Sequence, residues 1–357
     1  MPLFLTSDTR PTLPAEWAPQ NAVMLTWPHA DTDWAQNLAE AESVFIEIAQ
    51  AISTHERLII TCCAEPHKKS VLEKLEIAGI SRQQVSVFIH ASNDSWARDH
   101  GPITVIENGL AHLLDFTFNG WGGKYPAQKD NQLNQALYQQ GAFGEISLTS
   151  LPLVLEGGSI DSDGLGTLLT TTACLLNPSR NPSLAQDEIE NKLVQYLGVQ
   201  RILWLRHGWL QGDDTDSHVD MLARFCNPDT IAYTCCDDQS DAHFTALQAM
   251  KQELGSFRNH ADKPYRLVPL PIPQAIFNAQ GQRLPASYAN FLIINQAVLV
   301  PLYDDPNDKV ALGNLQICFP DRKIIGINCL PIIQQYGSLH CLTMHLPQAS
   351  RIEEDEI

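Results

Sequence analysis

Two features of the sequence predict an α/β fold, and a third places it in one continuous domain. Apolar segments of strand and helix period alternate from the start. Residues 22–28 read as a strand, 36–52 as an amphipathic helix, 57–62 as a strand, 68–78 as a helix and 85–90 as a strand. The second feature is a recurrence in which an apolar strand runs into a polar, often Gly-containing turn and then a second short strand. It appears as VSVFIHASNDSWARDHGPITVI, LPLVLEGGSIDSDGLGTLLTT, LWLRHGWLQGDDTDSHVDMLARF, ASYANFLIINQAVLVPLY and GSLHCLTMHLP. With Asp99, Glu156, His218, Asn290 and Cys341 as reference points, the intervals are 57, 62, 72 and 51 residues. Five such units around an axis would bring their turns to one central place. The N-terminal strand AVMLTW would pair with the C-terminal one, closing the ring and removing sheet edges. The third feature is that no Gly/Ser linker or charge block divides the chain. A single domain over 1–357 is expected, with the acidic tail at about 352–357 fraying into solvent.

Composition narrows the function. Apolar residues at 44% supply a large core, while a formal net charge of −18 argues against a nucleic-acid or anionic-membrane surface, since phosphate binding needs clustered cations. A cationic small molecule is the natural partner. No stretch approaches the ~20 apolar residues of a membrane span, and even 291–303 is broken by Asn295, Gln296 and Pro301. The start MPLFLTSDTRPTLP lacks a basic region followed by an apolar one, so a cytoplasmic location is expected. Nine cysteines, with Cys62–Cys63 and Cys235–Cys236 adjacent, suit reduced thiols better than a disulfide framework. C-x-x-C and H-E-x-x-H are both absent, so no metal and no cofactor is expected. Asp161-Ser-Asp163-Gly resembles the opening of a calcium loop, but its twelfth position is Thr172. A tight turn between two strands is the better reading.

Several side chains could carry chemistry. In Asp216-Ser-His218-Val-Asp220, alternation with Val219 and Met221 would put His218 and Asp220 on one strand face, a general acid/base beside an acceptor for a cation. A structural hydrogen bond is the commoner role of such a pair. Glu156-Gly-Gly158 ends an apolar run at a turn that needs positive φ or close backbone approach. Its carboxylate could orient a histidine or simply stabilise the turn. Asp94-Ser-Trp96-Ala-Arg98-Asp99 offers carboxylates and an aromatic face, which a planar guanidinium would match; a surface ion pair of Arg98 with Asp94 or Asp99 would explain it equally. Most cysteines, Cys62, Cys174, Cys235 and Cys318 among them, sit in apolar surroundings and read as inert. Cys341 differs, following Gly337-Ser-Leu-His340 at the start of a short strand where a thiolate would be a competent nucleophile. His340 would point to the opposite face, leaving His218 as the better base.

The strings PAEWAPQNAVMLTWPHADTDW, NDSWARDHGP, LEGGSIDSDGLGTLLTT, CLLNPSRNP, GDDTDSHVDMLARF and GSLHCLTMHLP together resemble the agmatine deiminase and bacterial-type peptidylarginine deiminase family of guanidine-modifying enzymes, over about 14–347. The resemblance implies a pentein-type, five-bladed β/α propeller with a central active site, and metal-free hydrolysis through a covalent thiouronium. It implies Cys341 as nucleophile and His218 as general acid/base. Asp99 and Asp220 would grip the guanidinium, and Glu156 would hydrogen-bond the histidine. Burying these carboxylates together is costly without a cation, so the filled site should be the stable one.

Substrate choice is read from Asp213, Asp214 and Asp216, which could favour an ammonium tail, with Trp96 packing on the alkyl stem, although a turn-forming or surface-acidic role would explain any one of these aspartates equally. Agmatine is therefore expected, in polyamine synthesis. Tyr336 and Ser338 depart from the Gly-rich turn of many relatives and bear on the pocket mouth. The alternatives are a peptidyl- or free-arginine deiminase, an amidino transferase, or an inactive polyamine-binding protein. Assembly into a homo-oligomer is left open.

Overall fold

A computed structural model describes residues 10–349, and the tail at 352–357 lies outside the described residues. The strands fall in chain order as β1 (Gln20–Thr26), β2 (Arg57–Cys62), β3 (Val85–Ile89), β4 (Ile103–Glu107), β5 (Leu110–Thr117), β6 (Ser147–Val154), β7 (Ile160–Ser162) and β8 (Thr167–Thr171). They continue as β9 (Arg201–Leu205), β10 (Ala223–Asn227), β11 (Thr230–Cys235), β12 (Arg266–Pro271), β13 (Leu292–Ile294), β14 (Ala297–Leu302), β15 (Lys323–Asn328) and β16 (Thr343–Pro347). They form five sheets, ordered β4-β5-β6, β7-β8-β9, β10-β11-β12, β13-β14-β15 and β16-β1-β2-β3.

Each sheet repeats one connectivity. An antiparallel pair comes first, and its second strand then pairs in parallel with a third. Parallel neighbours need a crossover, and a helix supplies each: Leu38–Ser53, Glu65–Ile77, Asp130–Gln139, Gln186–Leu197, Phe244–Ser256 and Asp308–Cys318, the second of these joining β2 to the additional parallel strand β3 of the four-stranded sheet. In Gln186–Leu197 the apolar residues Ile189, Leu193 and Leu197 recur every fourth position and are buried. Gly198 closes that helix in the left-handed conformation, φ 68°.

The expected pairing of AVMLTW with the C-terminal strand is present, β1 lying antiparallel to β16. Side chains of β1 alternate between two cores, Val23 and Leu25 entering one and Ala22 and Met24 the other. The expected tight turn between β7 and β8 runs over 163–166, the Asp163 carboxylate accepting from the N–H groups of Leu165 and Thr167 at 2.8 Å. No helix among the described residues is long and apolar enough to cross a membrane.

Two local expectations are corrected. His218 and Asp220 are not on a strand face: Val219–Met221 is one turn of 3-10 helix before β10. Cys341 likewise sits in a 3-10 turn, His340–Leu342, ahead of β16. In both places a buried polar side chain bonds across the molecule, and that outweighs the strand propensity of its apolar neighbours.

Candidate active site

Asp99, Glu156, His218, Asn290 and Cys341 each precede the first strand of a different sheet, and the fold draws them together. His218 Nδ1 lies 3.6 Å from Asp99 Oδ1, and Asn290 Nδ2 donates to Cys341 Sγ at 3.2 Å and to Asp220 Oδ2 at 3.2 Å. Cys341 Sγ is 3.7 Å from Asp220 Oδ2. Gly158 permits this convergence by close approach rather than by positive φ. A Cβ there would stand 2.7 Å from His218 Nδ1, 2.8 Å from Asp99 Oδ1 and 3.1 Å from Asp220 Oδ2. Its own N–H donates to Asp99 Oδ1 at 3.0 Å, while Trp121 Nε1 donates to Asp99 Oδ2 at 2.8 Å.

His218 is delivered by a strained turn. Asp216 and Ser217 have φ of 66° and 65°, a region costly for residues with a side chain. Asp213 stabilises that turn, accepting from the Thr215 N–H at 3.1 Å, the Thr215 hydroxyl at 2.6 Å and the Ser217 N–H. Asp216 is held by Lys124 at 2.8 Å and by Arg180 at 2.7 Å. Of the three aspartates ahead of His218, Asp216 is thus consumed within the protein.

The hydrogen bond expected from Glu156 to His218 is not made. Both Glu156 oxygens accept from Arg180 Nε, at 2.9 and 3.0 Å, because a buried guanidinium is a stronger claimant on a carboxylate than an imidazole. Glu156 remains beside His218, as does Cys174, the three offering donor atoms within 4.8 Å of one another. A divalent cation there would face Arg180, so the trio does not fit a metal. Cys174 is buried in the apolar core as expected, and its sulfur also adjoins His218. Arg98 is not in a surface ion pair either: it is buried, with Nη1 donating to His345 Nδ1 at 2.8 Å and Nη2 3.5 Å from Glu16.

A cavity of about 550 Å³ opens onto Cys341 and Asp99. Trp96 and Asp214 line it, and Asp33, Asp94 and Asp213 add to its acidity. Among its lining residues there is no Lys, Arg or His. Trp96 packs on Trp34, ring centroids 5.5 Å apart, and on Gly337, where a Cβ would meet the indole at 2.2 Å. Tyr336 also lines the cavity, at φ 66°, whereas Ser338 is buried behind it against Tyr303. His218, Asp220 and Glu156 are fully buried beneath.

The protonation pattern follows from burial and unbalanced carboxylates. Burial raises the Cys341 thiol well above its ordinary value, and the Asp220 and Asp99 charges add to that. Burial lowers His218, but Asp99, Cys174 and Glu156 outweigh it, so its pKa is raised well above the usual value. Asp99 is pushed up by burial and by Asp220, against His218. Burial also lifts Asp94 to about 6 and Asp214 to about 6, only partly offset by hydrogen bonds from Ser95 and Trp34 to the first and from Tyr125 to the second. Such a site binds cations, and a thiol with a protonated imidazole and paired carboxylates equips it for nucleophilic attack on one.

Sequence reasoning marked Asn290 only as a recurrence point and gave no role to Arg180, Trp121, Glu16 or His340. Asn290 had a signal in its interval, whereas the others act through partners far away in sequence.

A Yersinia pseudotuberculosis protein provisionally named an agmatine deiminase is 36% identical, the match covering 94% of this chain and 95% of that one. The solved C. jejuni agmatine deiminase with substrate bound superposes with a TM-score of 0.87 at 37% identity, covering 96% of this chain and 97% of that chain. A solved Porphyromonas gingivalis protein provisionally named an arginine deiminase gives a TM-score of 0.88 at 49% identity, covering 95% and 99%. The family profile described as Porphyromonas-type peptidyl-arginine deiminase matches residues 12–347. With the five convergent turns and the acidic, cysteine-floored cavity, this match establishes that the chain belongs to the Porphyromonas-type peptidyl-arginine deiminase family.

Proposed function

We propose that this chain is an agmatine deiminase, hydrolysing agmatine to N-carbamoylputrescine and ammonia in the cytoplasm, with the five sheets as blades of a propeller around one active site. The observation that carries this reading is the cavity wall. Cys341 and Asp99 lie at its floor, Asp33, Asp94, Asp213 and Asp214 line it, and no cationic side chain does. A free arginine would bring its α-carboxylate against these aspartates, whereas agmatine brings a second cation. The bound-substrate C. jejuni relative supports the same choice.

In this mechanism Asp99 and Asp220 accept N–H groups of the guanidinium and fix its plane. The cation offsets the two charges that raise the Cys341 thiol, so substrate binding itself promotes the thiolate. Sulfur attacks the central carbon, and His218, already protonated, gives its proton to the departing ammonia. A thiouronium ester remains on Cys341. His218 then takes a proton from water, whose oxygen adds to the same carbon; the adduct expels the thiolate, and its hydroxyl proton passes to solvent, leaving the ureido product. Glu156 acts at one remove, its charge supporting the histidine.

The test is ammonia release from agmatine, free arginine and an arginine peptide in parallel, with EDTA present. Turnover of agmatine alone, unchanged by EDTA, is expected. Cys341→Ser should bind agmatine without turnover, and full activity in that variant would remove the covalent step. Release only from an arginyl substrate would replace agmatine with arginine in the same chemistry.

A further inference from the structure

Bonded to Asp220 is a buried chain of charges that the reaction above does not use. His340 Nδ1 is 2.7 Å from Asp220 Oδ2, and its Nε2 is 2.7 Å from Glu16 Oε2. Glu16 is in turn 2.9 Å from Arg224 and 3.5 Å from Arg98. Glu16, Arg98, Arg224 and His340 are all at most 5% exposed. Ionised carboxylates only accept, so a ring held between two of them donates from both nitrogens.

The two oxygens of Asp220 are used differently. Oδ2 takes His340, Asn290 and Cys341, while Oδ1 is buried with no hydrogen-bond partner among the described residues. An orphaned carboxylate oxygen is costly, and its natural partner is a donor supplied from outside. His340, the shortest of these contacts, holds Oδ2 together with the Asn290 amide and so leaves Oδ1 over.

Building on the deiminase reading, we propose that His340, clamped by Glu16, is a positioning residue that locks Oδ2 of Asp220 and thereby presents Oδ1 to the guanidinium. It also sets the charge of Asp220. Facing that carboxylate are His340, His218, Arg98, Arg224, Asp99 and Cys341. Burial raises Asp220, and the hydrogen bond and charge of His340, with His218 and Arg224, carry it below the ordinary carboxylate range. Burial likewise raises Glu16, and Arg224, His340 and Arg98 hold it well below. Glu16 is 324 residues from His340, so the clamp also ties the start of the chain to its catalytic end.

Steady-state ammonia release from agmatine by the full chain tests this, with His340→Ala, His340→Asn and Glu16→Gln compared with wild type. His340→Ala should raise KM at least tenfold and by more than it lowers kcat. It should also move the acidic limb of kcat/KM to higher pH, because Asp220 loses a group that lowers its pKa. His340→Asn places an amide donor near the Nδ1 position and should recover most of the KM without reaching Glu16. Glu16→Gln should show an intermediate KM and a limb shifted the same way, and carries the test if His340→Ala does not fold. If Ala and Asn variants lose kcat alike with KM and the acidic limb unmoved, the positioning role is overturned and the contact is structural. No ammonia from wild type with any guanidine would overturn the deiminase reading and this inference with it, while normal wild-type turnover with unshifted variants overturns this inference alone.

Discussion

Gly158 shows how little room the site leaves. Its missing Cβ is the space in which His218, Asp99 and Asp220 meet, all within 3.1 Å of where a methyl would be. Adding it forces all three to move, and a displacement approaching 1 Å can cost about 100-fold in rate. Overpacking of this kind costs about 1–3 kcal/mol in stability. Gly158→Ala should therefore remain folded, lose at least about 100-fold in kcat/KM for agmatine, and drop only modestly in denaturant midpoint. A folded variant with wild-type kinetics would mean that the three side chains need not hold their present positions. Gly157 is constrained for a different reason, since its Cβ would press on the Arg98 carbonyl at 2.2 Å. The dipeptide signals a close approach in the sequence, but which of the two glycines faces chemistry is visible only once the neighbours are known.

The elements that carry these residues are turns, and their stability comes from ion pairs between turns. Arg180 follows the crossover side of β8 and reaches both Glu156, ahead of β7, and Asp216, ahead of β10, using Nε and Nη1, while Nη2 donates to the Thr215 carbonyl at 2.8 Å. Removing one partner of such a buried pair leaves an uncompensated charge, worth about 3–5 kcal/mol. Arg180→Ala should lose stability of that order, read as a lower denaturant midpoint at unchanged slope, and most of its activity. Arg180→Lys restores the charge but not the planar fork, so it should recover stability further than kcat. Equal recovery of both would reduce Arg180 to a structural tie. This is also where sequence reading stopped. The strands at 57–62 and 85–90 and the helices at 36–52 and 68–78 are legible because their apolar periods are local, and they recur within a few residues of Arg57–Cys62, Val85–Ile89, Leu38–Ser53 and Glu65–Ile77. The 3-10 turns at Val219–Met221 and His340–Leu342 are not legible, because the bonds that hold Asp220 and His340 lie across the molecule.

Across the whole molecule, the excess of acidic residues becomes a coupling between protons and ligand. Asp94 and Asp214 line the cavity and titrate near 6 in the folded protein, against a usual carboxylate value near 4. Between these values the folded state binds more protons than the unfolded one, so their contribution to stability is fully present below the unfolded value and lost as pH rises through 6. A cationic ligand favours their ionised forms, so binding agmatine should release protons. If both are fully ionised in the complex, each is about one-tenth ionised in the free protein at pH 5, so affinity there should fall about tenfold per carboxylate relative to pH 7.5. Calorimetry on Cys341→Ser, in two buffers of different ionisation heat, measures affinity and proton release together. Glu56 and Asp130, each raised to about 7 by burial, also titrate with folding but do not line the cavity. They should therefore shape the pH dependence of melting in the free protein without contributing to the ligand's proton release. A melting shift on adding agmatine that is larger at pH 7.5 than at pH 5, with release of up to two protons near pH 5, is the expected result. An affinity flat from pH 5 to 7.5 with no proton release would show that these aspartates do not face the bound cation, and the preference for agmatine over arginine would then lose its electrostatic basis.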